Sequence, residues 1–289
     1  LQPAALSPLL ALVTEASGAA EAGAALAWDR DGLAGTARLT LRGLAFSLAE
    51  AKVAGLDLDL ELDSLQPPTS PPNQRLSADL IDVGVPLKDF AARFRLPADA
   101  PGQVLLEEAS FSTVGSHVTV GETLIDPSGE RLDTQLLVED LEVSALFEVL
   151  AVDGLSGKGE LAGRIPVRRE GGRVIIADAR LEANGPGVLR FRSDAAARAL
   201  AGGGEHVDLV IRALEDFHYE TLVLTGNLDQ GGAARLRLEI LGNNPEVLDG
   251  YPFQLNINLT GDSTPILEAL RLSRSVIADI LERARKLSE

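Results

Sequence analysis

Leu155–Arg192, LSGKGELAGRIPVRREGGRVIIADARLEANGPGVLRFR, is the stretch whose reading decides the fold. It reads as three extended segments separated by turns. Leu161, Gly163, Ile165 and Val167 share one parity, and Lys158, Glu160, Ala162 and Arg164 the other. Successive side chains of a strand point to opposite faces, so one face is oily and the other mostly charged. The Glu170-Gly171-Gly172-Arg173 turn reverses the chain. Beyond it Ile175, Ala177, Ala179, Leu181 and Ala183 alternate with Asp178, Arg180 and Glu182. Past the Asn184-Gly185-Pro186-Gly187 turn, Leu189 and Phe191 alternate with Arg190 and Arg192. The result is an antiparallel meander with one wet face and one greasy face, and it holds no catalytic motif.

The same grammar extends both ways. Leu39 and Leu41 face away from Arg38, Thr40 and Arg42, and Leu44, Phe46 and Leu48 continue the run. Leu56 to Asp63 alternates Leu with carboxylate without a fault. Gln66 to Asn73 is a proline-rich loop that no central strand could contain. Further strands are expected near Leu80–Pro86, Val104–Phe111, Ser116–Glu122 and Arg131–Val138, and on Val207/Leu209/Ile211, Leu222/Leu224, Leu236/Leu238/Ile240 and Tyr251–Leu259. Short helices are expected over Pro3–Ser17, Leu87–Phe94, Val143–Val152 and Asp194–Leu200. A longer amphipathic helix is expected from Thr264, with Pro265 at its first position, Glu268 in its first turn and Arg283, Arg285 and Lys286 in its last. The fold class is therefore mostly β, an elongated antiparallel sheet with short helices. Residues 1–75 form its N-terminal part, 76–262 its main body and 263–289 the closing helix.

The composition narrows what the oily face can be. Of 289 residues 45% are hydrophobic, yet aromatics are 4% and Met and Cys are absent. Compact cores use aromatics as large fillers; an aliphatic lining this smooth resembles the inside of a lipid channel as much as a packed interior. A formal net charge of −17 argues against polyanionic partners and against docking on anionic lipid heads. Without Cys there are no disulfides, thiol catalysis or Cys-ligated zinc. A chain that begins at Leu1 and carries no long apolar run reads as a mature form or an excised fragment.

Candidate chemistry is thin. His117, His206 and His218 are scattered without ligand spacing. Asp57, Asp59, Glu61 and Asp63 lie on one strand face, where a solvated surface explains them better than calcium or a glycosidase pair. The glycine clusters follow strands or helices and form no phosphate-binding fingerprint. No metal or cofactor is implied. The oily face remains: either it closes on itself as a sandwich or β-helix core, or it leaves a groove for something apolar.

Three runs carry a resemblance: Leu137–Leu150, Val152–Pro166 and Glu182–Phe191. With Gly250–Gly261 and the helix after it, they resemble the C-terminal region of the YdbH family, over roughly Leu76 to Lys286. That family is AsmA-like and TamB-related. The resemblance implies a non-enzymatic periplasmic fragment of an inner-membrane-anchored protein of Gram-negative envelopes, whose folded-over sheet carries phospholipid tails toward the outer membrane. It also implies an outer-membrane lipoprotein partner of the YnbE type, added as a strand near the C-terminal end and met by Tyr251, Phe253 and Leu259. An older label of dicarboxylate transport sits badly with an aliphatic groove. The expected lining is Leu56, Leu58, Leu60, Leu161, Ile165, Ile175, Leu181, Leu189, Phe191, Leu209, Ile211, Leu236, Leu238, Leu255 and Ile257. Asp at Leu161 or Ile257 is expected to block transport without unfolding the sheet. The alternatives are a periplasmic scaffold that docks a strand and holds no lipid, and, less favoured, a β-helix carbohydrate-active enzyme.

Overall fold

A computed structural model of the chain describes residues 13–29, 32–48, 51–83, 85–127, 131–150, 154–171, 173–192 and 205–262. The strands are β1 (Val13–Asp29), β2 (Gly32–Leu48), β3 (Ala51–Leu62), β4 (Ser64–Leu65), β5 (Pro68–Thr69), β6 (Gln74–Asp82), β7 (Pro86–Arg95), β8 (Val104–Thr113), β9 (Ser116–Val120), β10 (Thr123–Ile125), β11 (Arg131–Glu142), β12 (Leu155–Lys158), β13 (Glu160–Glu170), β14 (Arg173–Ala183), β15 (Gly187–Phe191), β16 (Phe217–Leu228), β17 (Ala233–Asn243) and β18 (Phe253–Asp262). Among the described residues two α-helices, α1 (Val143–Leu150) and α2 (Glu205–Leu214), interrupt them.

Sixteen strands join one antiparallel sheet, while β4 and β5 form a separate clip. Thirteen stand abreast in the order β1-β2-β3-β6-β7-β8-β9-β11-β13-β14-β16-β17-β18. At ~4.8 Å per strand that is a ribbon ~58 Å wide. Among the described residues it does not close, for β1 pairs there with β2 alone and β18 with β17 alone.

Leu155–Arg192 forms the two arms of a single hairpin. The register Glu170↔Arg173 through Leu161↔Ala183 continues as Lys158↔Val188 and Leu155↔Phe191. Asn184–Pro186 is thus a kink within one arm: β14 and β15 run the same way along one edge of β16. The fourth residue of that region, Gly187, opens β15 against Tyr219.

Three expectations need correction. Leu87–Phe94 belongs to β7, because β6 and β8 claim its backbone from both sides. Helical spacing in the sequence loses to that pairing. Leu209 and Ile211 lie on α2, whose end is held by Asn244: its Nδ2 donates to the carbonyls of Arg212 at 3.0 Å and Ala213 at 3.3 Å. Capping those carbonyls and burying Ala213 and Leu214 favour the helix over a strand. Val13–Ser17 is the start of β1. The expected helices at Asp194–Leu200 and beyond Thr264, and the lead-in before Val13, lie outside the described residues.

Backbone at positive φ recurs along one line across the sheet. Gly43 in β2 (φ 56), Gly55 in β3 (φ 66), Asp89 in β7 (φ 52) and Asp140 in β11 (φ 56) each sit at or beside a register shift. Asp57 Oδ1 accepts the Gly43 N–H at 2.7 Å and so holds the first of these bulges. Gly55 suits its bulge because φ 66 lies in the left-handed region that favours glycine, and a Cβ there would also displace the Asp79 carboxylate. Each such bulge bends its own strand and increases its local twist.

The apolar face as candidate functional site

Cross-strand partners share a face, so the register can be followed strand to strand. Ala20–Leu41–Leu58–Leu76–Ala92–Ala109–Val120–Leu136–Ile165 are successive partners from β1 to β13. This row crosses nine strands, ~38 Å, without a polar residue. A second row, Phe111–Val118–Val138–Gly163–Leu181–Leu224–Leu238–Ile257, continues from β8 to β18. The oily faces of the separate sequence segments are one surface.

That surface changes character along its length. In β2 and β3 its residues Leu39, Leu41, Leu44, Leu56, Leu58 and Leu60 are half-buried, and Leu26 of β1 is 63% exposed. Burial begins at β7 and β8, where Ala92 and Ala109 form a small cluster with Val120 of β9, and beyond it the face is packed dry. Val118, Val138, Leu161, Leu181, Leu189, Leu224, Leu238, Ile240 and Leu255 join one cluster, with Leu161 only 1% exposed. Both helices meet this end. α1 lies so closely on β12 that a Cβ on Gly157 would be 2.6 Å from Val143 Cγ1 and 3.1 Å from Phe147 Cε2. Phe147, Phe217 and Tyr219 are buried here as fillers, with Phe191 and Phe253 packed against them.

Tyr219 keys the hairpin kink. Its Oη donates to the Lys158 carbonyl at 3.0 Å and occupies the space that a Cβ on Gly159 or Gly187 would need. Burial pushes the phenol pKa upward, since the charged form would lose its water.

The residues expected to line the groove fall into groups. Leu56, Leu58 and Leu60 are on the half-open section. Leu161, Leu181, Leu189, Leu238 and Leu255 are inside the dry cluster, and Ile165, Phe191, Leu236 and Ile257 pack against it. Ile175 pairs with Arg168 while Ile176 opposes Val167, because a bulge at Asp178 (φ 56) shifts the register before Ala179. Asn227 Oδ1 accepts the Asp178 N–H at 2.9 Å and fixes that bulge. Leu209 and Ile211 are half-buried on α2. Among the residues expected to meet a partner, Phe253 and Leu259 belong to β18, the edge strand, whereas Tyr251 precedes it in an exposed turn. Leu39, Leu41 and Leu76 complete the half-open section, and their alternation was legible in the sequence.

The opposite face is ion-paired. Arg38 bonds Glu61, Arg93 bonds Glu108, and Arg42 Nη2 meets Asp59 Oδ1 at 2.5 Å, which raises the guanidinium pKa. The carboxylates of β3 therefore serve the sheet: Asp59 and Glu61 pair with arginines of β2, and Asp57 holds a bulge. Asp216 accepts from His218 Nε2 at 3.1 Å and from Arg190 Nε at 2.7 Å; the His218 bond first, then Arg190, holds its pKa below the usual range. The sequence hid this trio, since its members are brought together by β15 and the turn before β16. Among the described residues no group of three His, Asp or Glu could hold a metal ion.

The described residues thus form an open antiparallel sheet with one continuous aliphatic face and one ion-paired face. The chain belongs to the YdbH-like family, whose model, described as intermembrane phospholipid transport protein YdbH, matches residues 1–285. The match takes in the N-terminal segment beyond the likeness read from Leu76 onward. A family working between membranes places the chain in a cell envelope. No helix among the described residues is long and apolar enough to cross a membrane. No curated protein and no solved structure matches the chain.

Proposed function

We propose that the chain is a section of a non-enzymatic periplasmic conduit for phospholipid, with acyl chains lying on the half-open apolar section from β1 to β6. The observation that carries this reading is the unbroken row from Ala20 to Ile165, whose first half is incompletely covered by protein. Each CH₂ leaving water contributes about 0.8 kcal/mol wherever along the row it sits. A chain so held is retained without being fixed, and can slide. The dry cluster around Leu161 and Leu189 then serves as the firm end of the wall, and Ile165 marks the passage between the two.

Among the described residues the outer edge of β18, which carries Phe253 and Leu259, has no partner strand, and this supports strand addition by a lipoprotein of the YnbE type; anchoring of the full-length protein in the inner membrane belongs to the same reading. That edge also favours the second reading, a docking scaffold without lipid. Mass spectrometry of gently purified protein separates them. Phospholipid at near-stoichiometric amounts, lost in a Leu58→Asp variant that stays folded, supports the conduit; protein free of lipid supports the scaffold.

A further inference from the structure

We infer that the turn from Leu248 to Tyr251, between β17 and β18, is a contact for the surface of a zwitterionic phospholipid bilayer. Leu248 is 58% and Tyr251 67% exposed, two of the most exposed large apolar side chains among the described residues. They are not on a loose loop. Val247 is buried, the Gly250 N–H donates to Val247 O at 3.1 Å, and the Tyr251 N–H donates to Leu248 O at 3.0 Å. Asn243 Nδ2 donates to Gly250 O at 3.1 Å, and Asn244 ties the segment to the end of α2.

Leu248 sits at φ 50 and Asp249 at φ 54. The left-handed region suits Gly or Asn and disfavours a branched apolar side chain. A firmly bonded turn that holds Leu in that conformation and aims it at water is ordered for contact, at a cost to the fold.

Charge and size choose the occupant. From Leu238 to Phe253 the chain carries Glu239, Glu246 and Asp249 and no Lys or Arg, three carboxylates against Arg212 at the end of α2 beside Asn244. Anionic headgroups would be repelled. Two side chains on a projecting turn offer far less than the ~800 Å² per partner of a standard protein interface. A bilayer accepts so small a wedge: Leu enters the acyl boundary while the Tyr ring, apolar in body and polar at its tip, rests at the headgroup level. The inference rests on the conduit reading for its purpose, because a conduit must meet the membrane that supplies or receives its cargo.

Co-sedimentation with phosphatidylcholine vesicles tests it, comparing the wild-type chain with a Leu248→Asn/Tyr251→Ser variant. The wild type is expected to partition onto the vesicles, less onto phosphatidylglycerol vesicles, and the variant about tenfold more weakly than the wild type. Because Asn tolerates the left-handed region, the variant should melt at the same temperature or higher. Wild-type protein that ignores phosphatidylcholine, prefers phosphatidylglycerol, or is matched by the folded variant overturns the inference. Loading with a monomeric short-chain phospholipid keeps the two readings apart: it should be equal in both proteins if the conduit is real, and its failure in both sinks the conduit while leaving the vesicle result to stand or fall alone.

Discussion

Tyr219 concentrates at one residue what the kink requires. Tyr219→Phe removes the donor to the Lys158 carbonyl and should cost about 1–2 kcal/mol in denaturant unfolding. The ionisation has a definite sign. The folded phenol pKa is raised above the ordinary 10.0, so its contribution is complete below that value and is lost as pH climbs through the higher folded value. Wild-type stability should therefore fall on the alkaline side, and Tyr219→Phe should flatten that fall, in unfolding curves taken between about pH 7 and 11. Gly187→Ala asks the same site a steric question. Its Cβ would meet Tyr219 Oη at 2.2 Å and Lys158 O at 2.3 Å, and a loss of about 2 kcal/mol or more is expected. Neither glycine nor tyrosine announces this contact in the sequence, since 61 residues separate Tyr219 from Lys158.

At the scale of elements, α1 and β12 depend on each other through Gly157. Gly157→Ala should loosen the helix, seen as faster proteolysis within Val143–Leu150 and a loss of about 1–3 kcal/mol, because Val143 and Phe147 occupy the place of the new methyl. Strand alternation was legible wherever neighbours agreed with it, as in β3 and β18. It failed at β7 and α2 for opposite reasons. Leu87, Phe90 and Phe94 are spaced like a helix, but strands on both sides fix their backbone; Val207, Leu209 and Ile211 alternate like a strand, but their segment ends under the Asn244 cap. Asp178 is the subtler case, a bulge that changes the face of every residue before it, which the spelling of Ile175-Ile176 does not reveal.

For the whole molecule, the division of the apolar face decides where charge can be introduced. Leu161→Asp would place a carboxylate in the dry cluster and should unfold the C-terminal half, by about 3 kcal/mol or more, so it reports on folding rather than transport. Leu58→Asp falls on the half-open section. It should leave the melting transition nearly in place while abolishing lipid transfer between donor and acceptor vesicles; unchanged transfer would remove β3 from the lipid path. A face that is solvated for part of its length tolerates charge there and nowhere else.

The sequence by itself determined that strands would alternate oil and charge, that the sheet would be aliphatic, that carboxylates would lie opposite leucines, and which family the chain resembles. Periodicity of two is a local property of the backbone, so it can be read from one segment at a time. Only the tertiary structure decided that rows from separate strands join into one surface, that bulges interrupt their register, and that Phe147, Phe217 and Tyr219 fill the C-terminal cluster while Phe90 of β7 stacks on Phe111 of β8. Register and filling depend on which segments meet, and segments far apart in the chain meet through contacts that their own spacing does not encode.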